Sequence, residues 1–221
     1  MGKSVAESAI VLLGGTFDPV HNGHLRVAME LADALPEAQI RLLPCQQPVH
    51  KAATGADQHQ RVAMLQLAIT GEPQLLIDQQ ELQRQTPSYT VLTLEAMRQQ
   101  VGNERSLCWV IGMDSLLSLP RWHRWQELLE LANLIVVARP GWEWPSQGEV
   151  AEWLHGCAVH DMGAVPLAAH GQVLRLTMPT LDISATYIRN LIRLRRSARF
   201  LLPDAVWSYL QQQRLYGAEP M

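Results

Sequence analysis

An excess of charge of either sign is missing from this 221-residue chain: 18 Lys and Arg face 21 Asp and Glu, a formal net charge of −3 at pH 7. So small an imbalance gives no general attraction for nucleic acid or a membrane surface, and any basic group must act locally. Cysteine is scarce too. Cys45, Cys108 and Cys157 are dispersed with no C-x-x-C pair, which speaks against a disulfide framework or a structural zinc site and for a reducing compartment. Long apolar runs are absent: no segment approaches the roughly 20 residues of a membrane span, and the N-terminal apolar run is too short for a signal peptide. Gly2-Lys3-Ser4 ends like a P-loop but has no upstream glycine or strand, and the N-terminus lacks the hydroxyl residue that myristoylation wants at position six. Repeats and low-complexity tracts are also missing. The expectation is a cytoplasmic protein, without membrane or nucleic acid among its partners. With 48% hydrophobic residues the chain can bury a full core. It reads as one domain over residues 1–221, whose C-terminal part, about 184–221, is helical.

What is present begins with Gly14-Gly15-Thr16-Phe17-Asp18-Pro19-Val20-His21-Asn22-Gly23-His24. The preceding Ile10-Val11-Leu12-Leu13 suits a buried parallel strand, and residues from Asn22 to Leu35 have helical periodicity. The motif therefore sits on a strand-to-helix turn. Such a turn presents main-chain N–H groups and the positive end of a helix dipole, and glycines let an anion come close. His21 at the end of the loop and His24 in the first helical turn can face the same anion, and an imidazole donates a hydrogen bond in either protonation state. H-x-x-H could also supply two metal ligands, but no acidic or cysteine partner with ligand spacing accompanies it.

Further along, strand-like runs alternate with helical ones. Strands are expected at Ile40–Leu43, Leu75–Ile77, Leu107–Ile111, Leu134–Val137 and Val173–Leu176. Helices are expected at Asp57–Thr70 and Ser88–Gln100, as helical material at Ser115–Leu131, and as two terminal helices. The βαβ order implies an α/β fold, a Rossmann-like doubly wound parallel sheet with helices on both faces and ligands at the carboxyl ends of the strands. The tryptophan-rich segment Pro140–Gly171 is the place for an insertion. Near the C-terminus, Ser184 suits the N-cap of a helix carrying Ile188, Leu191 and Ile192. Thr186 and Arg189 fall on one face of that helix. An arginine in the first turns of a helix opposes the dipole and asks for an anion, so Ser184, Thr186 and Arg189 are read as phosphate contacts.

The first motif resembles the signature of the nucleotidyltransferases that share H-x-G-H, adenylyltransferases and cytidylyltransferases among them. Ile183-Ser184-Ala185-Thr186-Tyr187-Ile188-Arg189 is similar to the I-S-x-T-x-x-R element of nicotinate and nicotinamide mononucleotide adenylyltransferases. The resemblance runs from Leu12 to about Leu210. It implies transfer of an adenylyl group from ATP, with Mg2+, to nicotinate mononucleotide, giving deamido-NAD and pyrophosphate. His21, His24 and Arg189 would then be catalytic, and Gly14, Gly15, Thr16, Phe17, Ser184 and Thr186 would line the triphosphate. Gly112 and Asp114, in Ile111-Gly112-Met113-Asp114-Ser115, match the family's I-G-x-D-S loop. Asp114 could accept from ribose hydroxyls or cap the next helix. Pro87-Ser88-Tyr89-Thr90 and Pro120-Arg121-Trp122-His123 match segments implied to hold the pyridine ring and its carboxylate, which makes Thr90, Trp122 and His123 acceptor residues. Trp122 could equally pack. Lys51, with His50, could meet a phosphate or remain a solvated loop charge. His123 stands where relatives often have tyrosine, and Cys45 where they often have asparagine. No protein metal ligands are expected, and Asp18 is left with no role beyond bracing the turn. The alternatives are nicotinamide mononucleotide or phosphopantetheine as acceptor, or a non-catalytic nucleotide-sensing module.

Overall fold

The structure is a computed structural model that describes residues 8–46, 54–84, 87–138, 143–157, 159–163, 167–179 and 181–219. Among the described residues seven strands, β1 (Ile10–Gly15), β2 (Gln39–Pro44), β3 (Leu75–Ile77), β4 (Leu107–Gly112), β5 (Asn133–Ala138), β6 (Val159–Asp161) and β7 (Val173–Thr177), form one sheet in the order β3-β2-β1-β4-β5-β7-β6. The helices are α1 (Asn22–Ala34), α2 (Gln58–Ala68), α3 (Thr90–Val101), α4 (Met113–Leu117), α5 (Leu128–Leu131), α6 (Glu149–His155), α7 (Ala185–Arg193) and α8 (Asp204–Gln212). This is the Rossmann-like parallel α/β fold expected from the strand and helix order. Among the described residues no helix is long and apolar enough to cross a membrane.

The chain packs as two compact units. One comprises residues 1–13, 32–41 and 89–179, and the other residues 14–31, 42–88 and 180–221. In the first, β4 pairs in parallel with β1 and β5, and β7 with β5 and β6. The register sets Leu12 beside Trp109 and Val110 beside Ile135. Every residue of β5 is buried, as a strand covered on both faces requires. α3 packs on α5, and Arg98 of α3 is only 7% exposed. Its guanidinium donates to the carbonyls of Leu131, Gly102, Arg105 and Ala169. The buried cation thus meets acceptors at every nitrogen that would otherwise lose its water.

In the second unit α2 packs against α8, and α7 against a 3-10 turn at Leu215–Gly217. Asp57 caps α2 through a capping box with Gln60, satisfying two first-turn donors. The helical material expected over Ser115–Leu131 is present as separate short pieces. α4 stops at Leu117, Pro120 lies in a 3-10 turn, and Arg124 adopts a left-handed conformation before α5. Proline denies a continuing helix its N–H and clashes with the preceding turn. α6 and β6 were not foreseen in the tryptophan-rich segment. β6 is three residues long with exposed Val159 and Asp161, too short for a period-two pattern to register.

Candidate active site

β1 ends at Gly15, and the chain turns through Thr16–His21 into α1. Phe17 takes φ +50 and is buried, its ring set edge-on to His24 with centroids 5.0 Å apart. A Cβ on Gly15 would stand 3.0 Å from that ring, so a side chain at position 15 would press on the buried Phe17 ring. Phe17 therefore serves this loop by packing, and an anion can reach it only through its main chain. The His21 carbonyl accepts from the main-chain N–H groups of His24 (2.9 Å) and Leu25 (3.2 Å), which places His21 at the N-cap of α1 and His24 in its first turn. The two rings stack, centroids 3.7 Å apart and planes 22° from parallel. His24 Nδ1 accepts from the His21 main-chain N–H at 3.3 Å. Gly23 completes the pair: a Cβ there would sit 3.0 Å from His21 Nδ1 and 3.4 Å from the Leu181 carbonyl.

His21 is 5% exposed, and its Nδ1 has no hydrogen-bond partner among the described residues. Burial pulls its pKa from the ordinary 6.5 down to about 4, so the ring is neutral near pH 7, with one N–H donor. Between pH 6.5 and 4 the unfolded chain takes up a proton that the folded chain refuses. The contribution to stability is therefore complete above pH 6.5 and declines as pH falls toward 4. The shift corresponds to at most about 3 kcal/mol. Urea unfolding across pH 7 to 4.5 should show His21→Asn losing less stability than the parent over this interval; equal losses would refute a neutral buried His21.

The second motif meets the first at Asp18. Ser184 Oγ accepts from the Tyr187 N–H at 3.1 Å and caps α7, as its place in the sequence suggests. Arg189 Nη1 donates to the Asp18 carbonyl at 2.5 Å and lies 3.7 Å from its carboxylate, while Nη2 donates to Thr186 Oγ1 at 3.2 Å. Thr186 and Arg189 are thus neighbours on one face. Asn22, between the histidines, donates from its main chain to Leu201 and from its side chain to Phe200. The region after α7 therefore fastens the start of α1.

Two residues of this unit, Arg61 and Tyr216, carry no role in the sequence analysis, and Asp18 carries none there beyond bracing its turn. Asp18, 4% exposed, accepts from Gly55 N (2.9 Å), Ala56 N (3.0 Å) and the Tyr216 hydroxyl (2.6 Å). Arg61, 1% exposed, donates to the carbonyls of Thr16 (2.8 Å) and Gln46 (3.1 Å). Its only sequence signal is a cation inside the apolar stripe of α2, beside Val62, Met64 and Leu65. Tyr216 has no local signal. Cys45, at the end of β2, gives its N–H to the Gly15 carbonyl and its thiol to Thr16 Oγ1 at 3.8 Å.

The other unit holds a second set. Asp114 lies exposed in the first turn of α4, whose N-cap is Gly112. A Cβ on Gly112 would stand 2.6 Å from Asp114 Oδ1, so the carboxylate folds back over Gly112 and would swing aside for a larger residue there. Thr90 opens α3. Tyr89 and His123 rings lie 4.6 Å apart, which brings the P-S-Y-T and P-R-W-H segments together. Half-buried Trp122 donates its main-chain N–H to the Leu119 carbonyl, and Arg124 ties this loop to Glu95 of α3 at 2.9 Å and to Glu127. Tyr89 was not anticipated as His123's partner. Lys51 and His50 lie outside the described residues.

The chain matches the family described as cytidylyltransferase-like over residues 12–191. It is 49% identical over 212 residues to a probable nicotinate-nucleotide adenylyltransferase of Hahella chejuensis, covering 96% of this chain and 97% of that one. A protein of the same description from Cellvibrio japonicus is 50% identical, covering 93% of this chain and 97% of that one. Among solved structures, a nicotinic acid mononucleotide adenylyltransferase of Plasmodium falciparum, complexed with NaAD, shares the fold. Its TM-score is 0.72 at 16% identity, over 96% of this chain and 98% of that one.

Proposed function

Since the chain belongs to the cytidylyltransferase-like family and, within it, to the nicotinate-nucleotide adenylyltransferases, we infer that it transfers the adenylyl group of ATP to nicotinate mononucleotide. The products are deamido-NAD and pyrophosphate, a step of NAD biosynthesis, and we place it in the cytoplasm. The observation that carries the chemistry is the junction of the two motifs: the stacked His21–His24 pair on the N-terminus of α1, with Arg189 and Thr186 held to the same turn through Asp18.

The mononucleotide's 5′-phosphate is already an anion near neutral pH, so its oxygen attacks the α-phosphorus of ATP without a general base. The bond to the β-phosphate's bridging oxygen breaks, and pyrophosphate leaves. The protein's tasks are alignment and stabilisation of the charge that builds on the phosphates. We assign His24 and neutral His21 to the reacting phosphates. Gly14, Gly15 and Thr16, with the Phe17 main chain, line the triphosphate. Arg189, Thr186 and the Ser184 hydroxyl hold it. Gly112 and Asp114 are assigned to the nucleotide, and Thr90, Trp122 and His123 to the pyridine ring and carboxylate of the acceptor, with Lys51 at its phosphate. Among the described residues no three His, Cys, Asp or Glu side chains are grouped to hold a metal. Mg2+ is therefore proposed to enter as MgATP, held by phosphate and water, and no step is assigned to a metal held by side chains.

Pyrophosphate release from MgATP tests this reading with nicotinate mononucleotide, nicotinamide mononucleotide and phosphopantetheine in parallel. A kcat/KM highest for the nicotinate compound is the expected result. Preference for another acceptor would overturn the pocket assignment, and silence with all three would favour a nucleotide sensor.

A further inference from the structure

We propose that Tyr216, near the C-terminus, is a positioning residue for ATP: it fixes the Asp18 turn of the first motif and, through that turn, Arg189. The proposal rests on the adenylyl-transfer reading above.

Asp18 occupies the middle of the H-x-G-H loop and offers two kinds of acceptor. Its carboxylate takes the N–H groups of Gly55 and Ala56 and the Tyr216 hydroxyl, and its main-chain carbonyl takes Arg189. The phenol bond, at 2.6 Å, is a charge-assisted hydrogen bond from a half-buried hydroxyl to a buried carboxylate, about twice as strong as a neutral one. It is also the only one of the three carboxylate bonds that comes from the C-terminal segment. Tyr216 therefore ties three stretches that are distant in sequence: the first motif, the segment before α2, and the end of the chain.

The backbone is bent to make this contact. Arg214, Tyr216 and Gly217 take φ values of +52, +57 and +85. Two of these three are non-glycine residues in the left-handed region, a conformation that costs energy and persists where surrounding contacts over-determine it. Leu215 is buried beneath the turn. The ring has a dedicated place, because a Cβ on Gly55 would stand 2.8 Å from two of its carbons. Burial and the bond to Asp18 raise the Tyr216 pKa well above the ordinary tyrosine value. The phenol thus stays a donor throughout the working range and is no candidate for moving a proton. Its part is geometric: the turn that receives Arg189 is held on the carboxylate side by Tyr216.

Tyr216→Phe keeps the ring against Gly55 and deletes only the donor. With Mg2+ present, calorimetric titration with the non-transferable analogue α,β-methylene-ATP should give a Kd raised about tenfold. The KM for ATP should rise in parallel, while the KM for nicotinate mononucleotide stays at the parent value. In an Asp18→Asn background the same change should add less than twofold, because the shared bond is already altered. Gly55→Ala provides a second route: it displaces the ring without touching the hydroxyl, and should raise the same Kd. Should Tyr216→Phe fail to fold, Gly55→Ala decides the matter. Analogue affinity within twofold of the parent in the folded variants would overturn the proposal. So would KM values for both substrates rising together. The analogue titration needs no turnover, so a parent protein silent in pyrophosphate release would sink the adenylyl-transfer reading while the role of Tyr216 in ATP binding is still decided.

Discussion

His24→Ala should lower kcat by about two to three orders of magnitude, the usual cost of removing one preorganised donor from a developing anion, while changing the KM for nicotinate mononucleotide by less than about threefold. The reasoning starts from how the ring is held. The His24 main chain is fixed by its bond to the His21 carbonyl, one face lies on His21, and Phe17 meets the ring edge-on. Nδ1 accepts from the His21 N–H, so in the neutral ring the proton resides on Nε2. The loop thus fixes both the direction and the tautomer of the donor before substrate arrives, and preorganisation of this kind acts when charge accumulates at the α-phosphorus. The effect should therefore fall on turnover. His24→Gln, which can place an amide N–H near the same point, should recover about tenfold of the loss. Steady-state pyrophosphate release at saturating MgATP measures both. An unchanged kcat in His24→Ala would remove this residue from the reaction.

The sequence made the local part of this arrangement legible, because its causes are local. Short apolar runs specify the strands, and Ser184 stands where a helix needs a cap. The glycine of H-x-G-H lies tight against the His21 ring, 3.0 Å from where a Cβ at position 23 would stand. What stayed hidden is held by contacts between distant segments. Asp18 looks like a turn residue until Gly55, Ala56, Arg189 and Tyr216 converge on it. Arg61 reads as an interruption of an apolar stripe until its guanidinium is found on the Thr16 and Gln46 carbonyls. Periodicity reports which face of a helix is inward, but it cannot say which polar group waits there. The same reason explains Tyr89 against His123: each segment carries a signal for the acceptor, and neither carries one for the other.

Arg189→Ala should raise the KM for ATP about a hundredfold and lower kcat by a similar factor, with the KM for nicotinate mononucleotide little changed. Arg189 has two obligations. One nitrogen is spent on the Asp18 carbonyl and another on Thr186, so the guanidinium plane is fixed by the first motif and by its own helix. The planar fork leaves further donors for phosphate. Lysine, with a single ammonium on a flexible stem, keeps the charge but cannot hold both anchors while meeting phosphate. Arg189→Lys should therefore retain part of the ATP affinity and little of the turnover, and that split separates orientation from charge. A structural role alone predicts otherwise: α7 keeps its Ser184 cap in either variant. ATP affinity and turnover at parental values in folded Arg189→Ala would then make the second motif a helix anchor only. Because Arg189 binds the Asp18 carbonyl and Tyr216 its carboxylate, Tyr216→Phe should cost far less ATP affinity in the Arg189→Ala background than in the parent. Full additivity of the two changes would mean that Asp18 does not couple them.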